Sequence, residues 1–193
     1  MKFVAKEDVK KYPLIDFTAR VHLIEHLNDV SKCFDVISSA TLIGFDTETK
    51  PSFKKGVYHH ISLVQISVDN DVFLFRINKI GLIQELLNVF NNPNIVKVGI
   101  DIKNDITGLQ KLKQFKPSNF IDLNQLAKKN NFQSIGAVKL TIMMLGFRIS
   151  KRQRLSDWNL DILTDQQKNY AAIDAWICPK IFYAFKQKNY LLS

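Results

Sequence analysis

The sequence predicts an α/β domain built on a mixed sheet of five to six strands, three antiparallel and then two parallel, flanked by helices. Three observations carry that expectation. Strand-like runs rich in β-branched and aromatic residues follow one another at 41–48, 61–68 and 71–77, the last two joined by a short turn. From residue 80 onward, helix-period segments alternate with short strand-like runs. The 193 residues, 46% hydrophobic and 23% charged, are enough for one domain with a substantial core.

Taken in order, "RVHLI" (20–24) reads as a short strand. The segment 28–40 has helical periodicity, with Asn28 as its expected N-cap. "TLIGFDTE" (41–48) is a strand, and Pro51 to Gly56 break it off. The strands 61–68 and 71–77 meet around Asp69-Asn70 with hairpin spacing. Residues 80–92 form an amphipathic helix stopped by Pro93, and "IVKVGI" (95–100) is a strand of the type buried on both faces. A helix over 103–115 leads to a short strand at 119–123. There Asp122 starts another helix, with Gln125 at capping-box spacing. A further helix covers 136–146, and a last long helix starts at Thr164, with Gln167 at capping-box spacing. Residues 1–19 are expected to be an N-terminal arm, its first dozen residues polar and loose, before a domain over 20–193.

Lys and Arg number 27 against 18 Asp and Glu, a net charge of +9, which favours a polyanionic partner, nucleic acid first. No apolar run is long enough to span a bilayer, and "MKFVAKEDVKKYPL" has no signal-peptide core, so a cytoplasmic location without membrane contact is expected. Cys33 and Cys178 are isolated and make no zinc pattern; they read as buried small hydrophobes.

The chemistry is carried by acids. Asp46 and Glu48 end a strand two residues apart, which puts both on one face. A lone pair of this kind is more often solvated. Two like charges on one face repel unless they share a cation, and hard divalent cations select carboxylate oxygens. Asp105 follows the strand at 95–100, early in a helix. Tyr170 and Asp174 lie four apart in an apolar helix, hence on one face. In such a sheet, sites form beyond the carboxyl ends of the parallel strands, where these acids would converge.

The motifs "FDTET" (45–49), "VGIDIKND" (98–105) and "YAAIDAW" (170–176), with the segment 149–176, resemble the DEDD superfamily of 3′–5′ exonucleases. The likeness is to the tyrosine subgroup, in the branch of ribonuclease D and the Werner-syndrome exonuclease, of small single-domain bacterial type. It covers about residues 20 to 190. It implies a ribonuclease H-like fold and two divalent cations, Mg²⁺ or Mn²⁺. By resemblance, Asp46 would bridge both ions, Glu48 and Asp174 would complete the site of the attacking water, Asp105 would hold the second ion, and Tyr170 would orient the water. The sequence departs from some members at Asp101, which stands where they carry Asn. Asp105 is the expected ligand of the two.

Substrate contacts are expected from Thr49, from Lys54 and Lys55 on the loop leaving the site, and from Lys151, Arg152 and Arg154, with Trp158 either stacking a base beside them or simply part of the core. The expected activity is hydrolysis at the 3′ end of nucleic acid, releasing 5′-mononucleotides. DNA is favoured over RNA because the chain ends soon after the third motif. The alternatives are a ribonuclease D-like exoribonuclease and a non-catalytic nucleic-acid-binding module. No protein partner is legible.

Overall fold

A computed structural model describes residues 1–190; residues 191–193, the end of the expected domain, lie outside the described residues. Six strands form one mixed sheet: β1 (Arg20–Ile24), β2 (Leu42–Thr49), β3 (Ile61–Val68), β4 (Asp71–Phe75), β5 (Val96–Gly99) and β6 (Phe120–Asp122), in the order β1-β4-β3-β2-β5-β6. The three central strands β2, β3 and β4 are antiparallel neighbours. β5 and β6 extend the sheet parallel to β2, and β1 lies parallel to β4 at the other edge. Asp69 and Asn70 form the two-residue link between β3 and β4, and Asp69 takes the positive φ such a turn requires. The mixed sheet expected from the sequence is the one found.

Alternation along the strands divides the core into two layers. Ile43 and Phe45 of β2, with Ile66 and Phe73, pack against α1 (Val30–Ser39), α3 (Gln84–Asn91) and α4 (Lys103–Leu112). Leu63, Val72 and Leu74 face the other way, onto α5 (Leu123–Lys129), α6 (Ala137–Leu145) and α7 (Asp165–Gln187). Every residue of β3 is buried, because both of its faces are covered.

α7 positions the site. Thr164 caps its start and Gln167 completes the reciprocal pair, as the spacing predicts. The helix crosses β2 at Gly44, where a Cβ would lie 2.1 Å from the carbonyl oxygen of Ala175. At the neighbouring strand, Ser67 Oγ donates to that same carbonyl at 3.0 Å. The segment leading into α7 is held by Arg76, a fully buried guanidinium that bonds Glu25 and the carbonyls of Leu160 and Asp161.

Several local expectations are corrected. The helix expected over 80–92 is two, α2 (Ile77–Ile80) and α3, because Gly81 adopts a positive φ and ends the first. The helix near residue 28 follows a 3₁₀ turn (Leu27–Asp29) that puts Asp29, and not Asn28, at the N-cap position, without a side-chain capping bond. The Asp122 carboxylate accepts from the backbone N–H of Asn124, without the reciprocal bond expected from Gln125. The first dozen residues are not loose. Val4 is buried in the core, the Lys2 carbonyl accepts from the Gln133 and Ser134 N–H groups, and Leu14 bridges to Arg148. A single buried Val is enough to pin a polar segment, and polar composition hides it. Both cysteines are free and buried. Among the described residues no helix is long and apolar enough to cross a membrane.

Candidate active site

Asp46 and Glu48 project from one face of β2 at its carboxyl end, toward α7. The register of β2 against β3 shifts just there, between Glu48 and Thr49, where Ser62 is the extra residue. Such a bulge bends the strand and re-aims its last side chains. From α7, Asp174 enters the same space, so that Asp46, Glu48 and Asp174 each offer a carboxylate oxygen within 4.8 Å of the others. Asp174 is 5% exposed and shares its helix face with Tyr170, also buried.

Asp105 comes from the opposite layer. Thr47, between the two acids of β2, points to that layer, and its hydroxyl donates a short hydrogen bond to the Asp105 carboxylate. Asp105 thus lies outside the three-acid cluster, yet close enough that its charge raises the pKa of Asp46. Asp101 is exposed, in a left-handed backbone conformation, with its N–H on the Asp122 carboxylate.

The electrostatics are those of crowded buried acids. Burial first, and then Asp174 and Asp105, push Asp46 well above the carboxylate range. Burial and the neighbouring Asp46 and Asp174 push Glu48 up to about 9. Burial raises Asp105 to about 6, against the Thr47 hydrogen bond. Burial also raises Asp174, opposed by Lys151. Tyr170 is driven far up by burial and then by Asp174 and Glu48, so its hydroxyl keeps its proton and is a donor.

These shifts fix a pH dependence. Between an ordinary 4.5 and about 9, folded Glu48 holds a proton that the unfolded chain releases. Stability therefore falls as pH rises through that window. In EDTA, the Tm of the wild type is expected to drop from pH ~5 to ~9 more steeply than that of Glu48→Gln. Parallel Tm profiles for the two proteins would contradict the assignment.

The expected substrate residues divide. Thr49 lines a cleft of ≈310 Å³ beside Asp105, together with His59, His60, Asn104 and Lys111. Lys54 and Lys55 are exposed on the loop after β2. Arg152 and Arg154 are exposed, and Arg152 lines a smaller recess against Tyr170. Lys151 is turned inward, its ammonium 2.8 and 3.0 Å from the two Asp174 oxygens and 3.3 Å from the Tyr170 hydroxyl. Trp158 is a correction: it is 0% exposed, packed beside Tyr170, and presents no surface for a base. An indole so large is retained by the core even in a loop.

Two positions escaped the sequence reading. Thr47 was hidden by the acids on either side of it, although alternation already placed it on the far face. Lys50, whose ammonium lies 2.6 Å from Asp157, ties the loop after β2 to the segment before α7; only the folded chain brings those two residues together.

A family model described as 3′–5′ exonuclease matches residues 21–189, nearly all of this fold. The chain belongs to the 3′–5′ exonuclease family. Its relatives fall within the DEDD superfamily. It is 30% identical over 149 residues to the bifunctional 3′–5′ exonuclease/ATP-dependent helicase WRN of Mus musculus, a match that takes in 72% of this chain and 10% of that protein. Across three curated relatives, the matched region is between 10% and 54% of the relative's own length. The Nibbler EXO domain of Aedes aegypti superposes with a TM-score of 0.79 at 24% identity, over 92% of each chain. Escherichia coli RNase D, an exoribonuclease involved in structured RNA processing, gives 0.78 at 21% identity, over 89% of this chain and 47% of that one. These two likenesses establish the ribonuclease H-like fold shared with exonucleases.

Proposed function

We propose that this member of the family is a metal-dependent 3′–5′ exonuclease of the tyrosine subgroup, of bacterial type. Its domain would comprise residues 20–193, with 1–19 as an N-terminal segment laid against it. The observation that carries the reading is the convergence of Asp46, Glu48 and Asp174 within 4.8 Å, with Tyr170 on the same helix face as Asp174. Three crowded acids, of which Asp174 raises the pKa of both Asp46 and Glu48, are a donor set suited to hard divalent cations, which replace the protons as counter-charge. Asp46, Glu48, Asp105 and Asp174 would hold two such ions, Mg²⁺ or Mn²⁺. When bound, these lower the pKa of water and neutralise charge developing on the 3′ oxygen that leaves.

The chain's own residues do the rest. Asp46 sits between Asp174 on one side and Asp105 on the other, which suits it to bridge. Tyr170, protonated, donates its hydroxyl hydrogen to orient the attacking water and does not act as a base. Lys151 fixes the Asp174 carboxylate and the Tyr170 hydroxyl in mutual orientation from the solvent side, where it also meets a substrate phosphate. Thr49, Lys54, Lys55, Arg152 and Arg154 would position the strand through its sugar and phosphates without reading sequence.

The substrate is the 3′ end of a nucleic acid. DNA is the substrate proposed first, with RNA as the alternative that the same assay tests. The deciding experiment incubates the protein with 5′-labelled and 3′-labelled oligonucleotides, as DNA and as RNA, in Mg²⁺, Mn²⁺ or EDTA. Stepwise shortening of the 5′-labelled strand, immediate loss of the 3′ label as a mononucleotide, and silence in EDTA are expected. Faster shortening of RNA would reverse the sugar preference. No shortening in any combination would leave a non-catalytic binding module.

A further inference from the structure

Gln65 stands out as a buried polar side chain without a partner. It is 0% exposed, and neither its amide nitrogen nor its amide oxygen makes a hydrogen bond. Among the described residues, it is the one side chain with two such atoms; the others are the indole nitrogens of Trp158 and Trp176. Leaving a buried donor and acceptor unmade is costly, and a native chain that keeps such a group has a use for it.

Its place in the sheet says what that use is. Gln65 is paired in register with Asp46 across β2 and β3. Directly opposed residues carry their side chains on one face, with Cβ atoms about 4.5–5.5 Å apart. The face is fixed independently. Ser67, two residues on, bonds the Ala175 carbonyl of α7, so Gln65 also faces α7, the helix that carries Asp174. Its partner in register on β4 is Leu74, and the residues beside it on its own face of β3 are Leu63 and Ser67, whose hydroxyl is already given to the Ala175 carbonyl; Glu48 lies diagonally across, beside Asp46. An ionised carboxylate only accepts hydrogen bonds, and the Gln65 amide NH₂ is an unpartnered donor on the same face, directly across from Asp46 in register.

We infer that Gln65 is a positioning residue of the carboxylate site: its side-chain amide turns to donate to Asp46 when that carboxylate is ionised on a divalent cation, and so orients it. The inference rests on the two-cation reading of the site. Groups that orient ligating carboxylates typically contribute about 10–100-fold to metal affinity.

The test is Mn²⁺ binding without nucleic acid, followed by the electron paramagnetic resonance of free Mn²⁺, on wild type and Gln65→Leu, with thermal melts of both in EDTA. Leucine is close in size and removes both unpaired polar atoms. Gln65→Leu is therefore expected to melt at the same temperature or higher, yet to bind Mn²⁺ about tenfold or more weakly. A role in packing alone would change the melt and not the affinity. Equal Mn²⁺ affinity in wild type and variant overturns the inference and leaves the cation site intact. A wild type that binds no Mn²⁺ overturns the cation reading and this inference with it. Should Gln65→Leu fail to fold, the unbranched Gln65→Met serves in its place, with the same outcomes.

Discussion

Asp46→Asn is expected to lose 3′-end hydrolysis by about 1000-fold or more, the equivalent of ~4 kcal/mol of transition-state stabilisation. The side chain keeps its shape, so the loss reports charge. Asp174, from α7, and Asp105, from the opposite layer, both raise the pKa of Asp46. On the proposed two-cation reading Asp46 would serve both ions. The same substitution replaces an acid whose ionisation burial and its neighbours oppose with a neutral amide, so in EDTA the variant should melt no lower than the wild type and gain less on adding Mn²⁺. Single-turnover hydrolysis beside paired melts checks both halves. Activity within about tenfold of wild type would sink the mechanism, because a neutral amide cannot replace a bridging carboxylate.

Gly44→Ala is expected to destabilise the fold by ~3 kcal/mol or more, at or above the top of the usual range for overpacking, a fall in Tm of roughly 6–12 °C for a chain of this size. The added Cβ would meet the Ala175 carbonyl oxygen at 2.1 Å, Ser67 Oγ at 2.2 Å and Pro179 Cδ at 2.8 Å. A serine hydroxyl can rotate away; a backbone carbonyl moves only if α7 moves. α7 carries Asp174 and Tyr170, so the fraction that still folds should also bind Mn²⁺ weakly. Thermal denaturation followed by circular dichroism measures the first effect. A Tm within about 2 °C of wild type would show that α7 can shift at this crossing without cost, and that its close approach to β2 is not what sets the site.

Both results depend on how the two halves of the site meet, and that is where legibility in the sequence ends. That Asp46 and Glu48 share a face follows from the two-residue period of a strand, and that Tyr170 and Asp174 share one follows from the helical repeat. The hairpin at Asp69-Asn70 and the capped start of α7 were legible for the same reason, since each is a rule about residues a few positions apart. The split at Gly81 is local too, but the apolar pattern continues across it and masks the break.

Other features depend on contacts between distant segments. Trp158 lies among basic residues in the chain and inside the core in space. Lys151 looks like a phosphate contact by its neighbours and is turned onto Asp174, 23 positions away. Val4 and Lys2 are pinned by residues near 130. Thr47 and Gln65 enter the site only once it is known which layer each strand face meets.

The sequence by itself determined the element types, the mixed sheet and the identity of the acids, because periodicity, turn chemistry and spacing act over a few residues. The tertiary structure alone decided which groups surround those acids: Thr47 on Asp105, Lys151 on Asp174, Gln65 opposite Asp46. Burial and close packing of non-local segments set a side chain's partners, and they set how far a neighbouring carboxylate is pushed from its ordinary pKa.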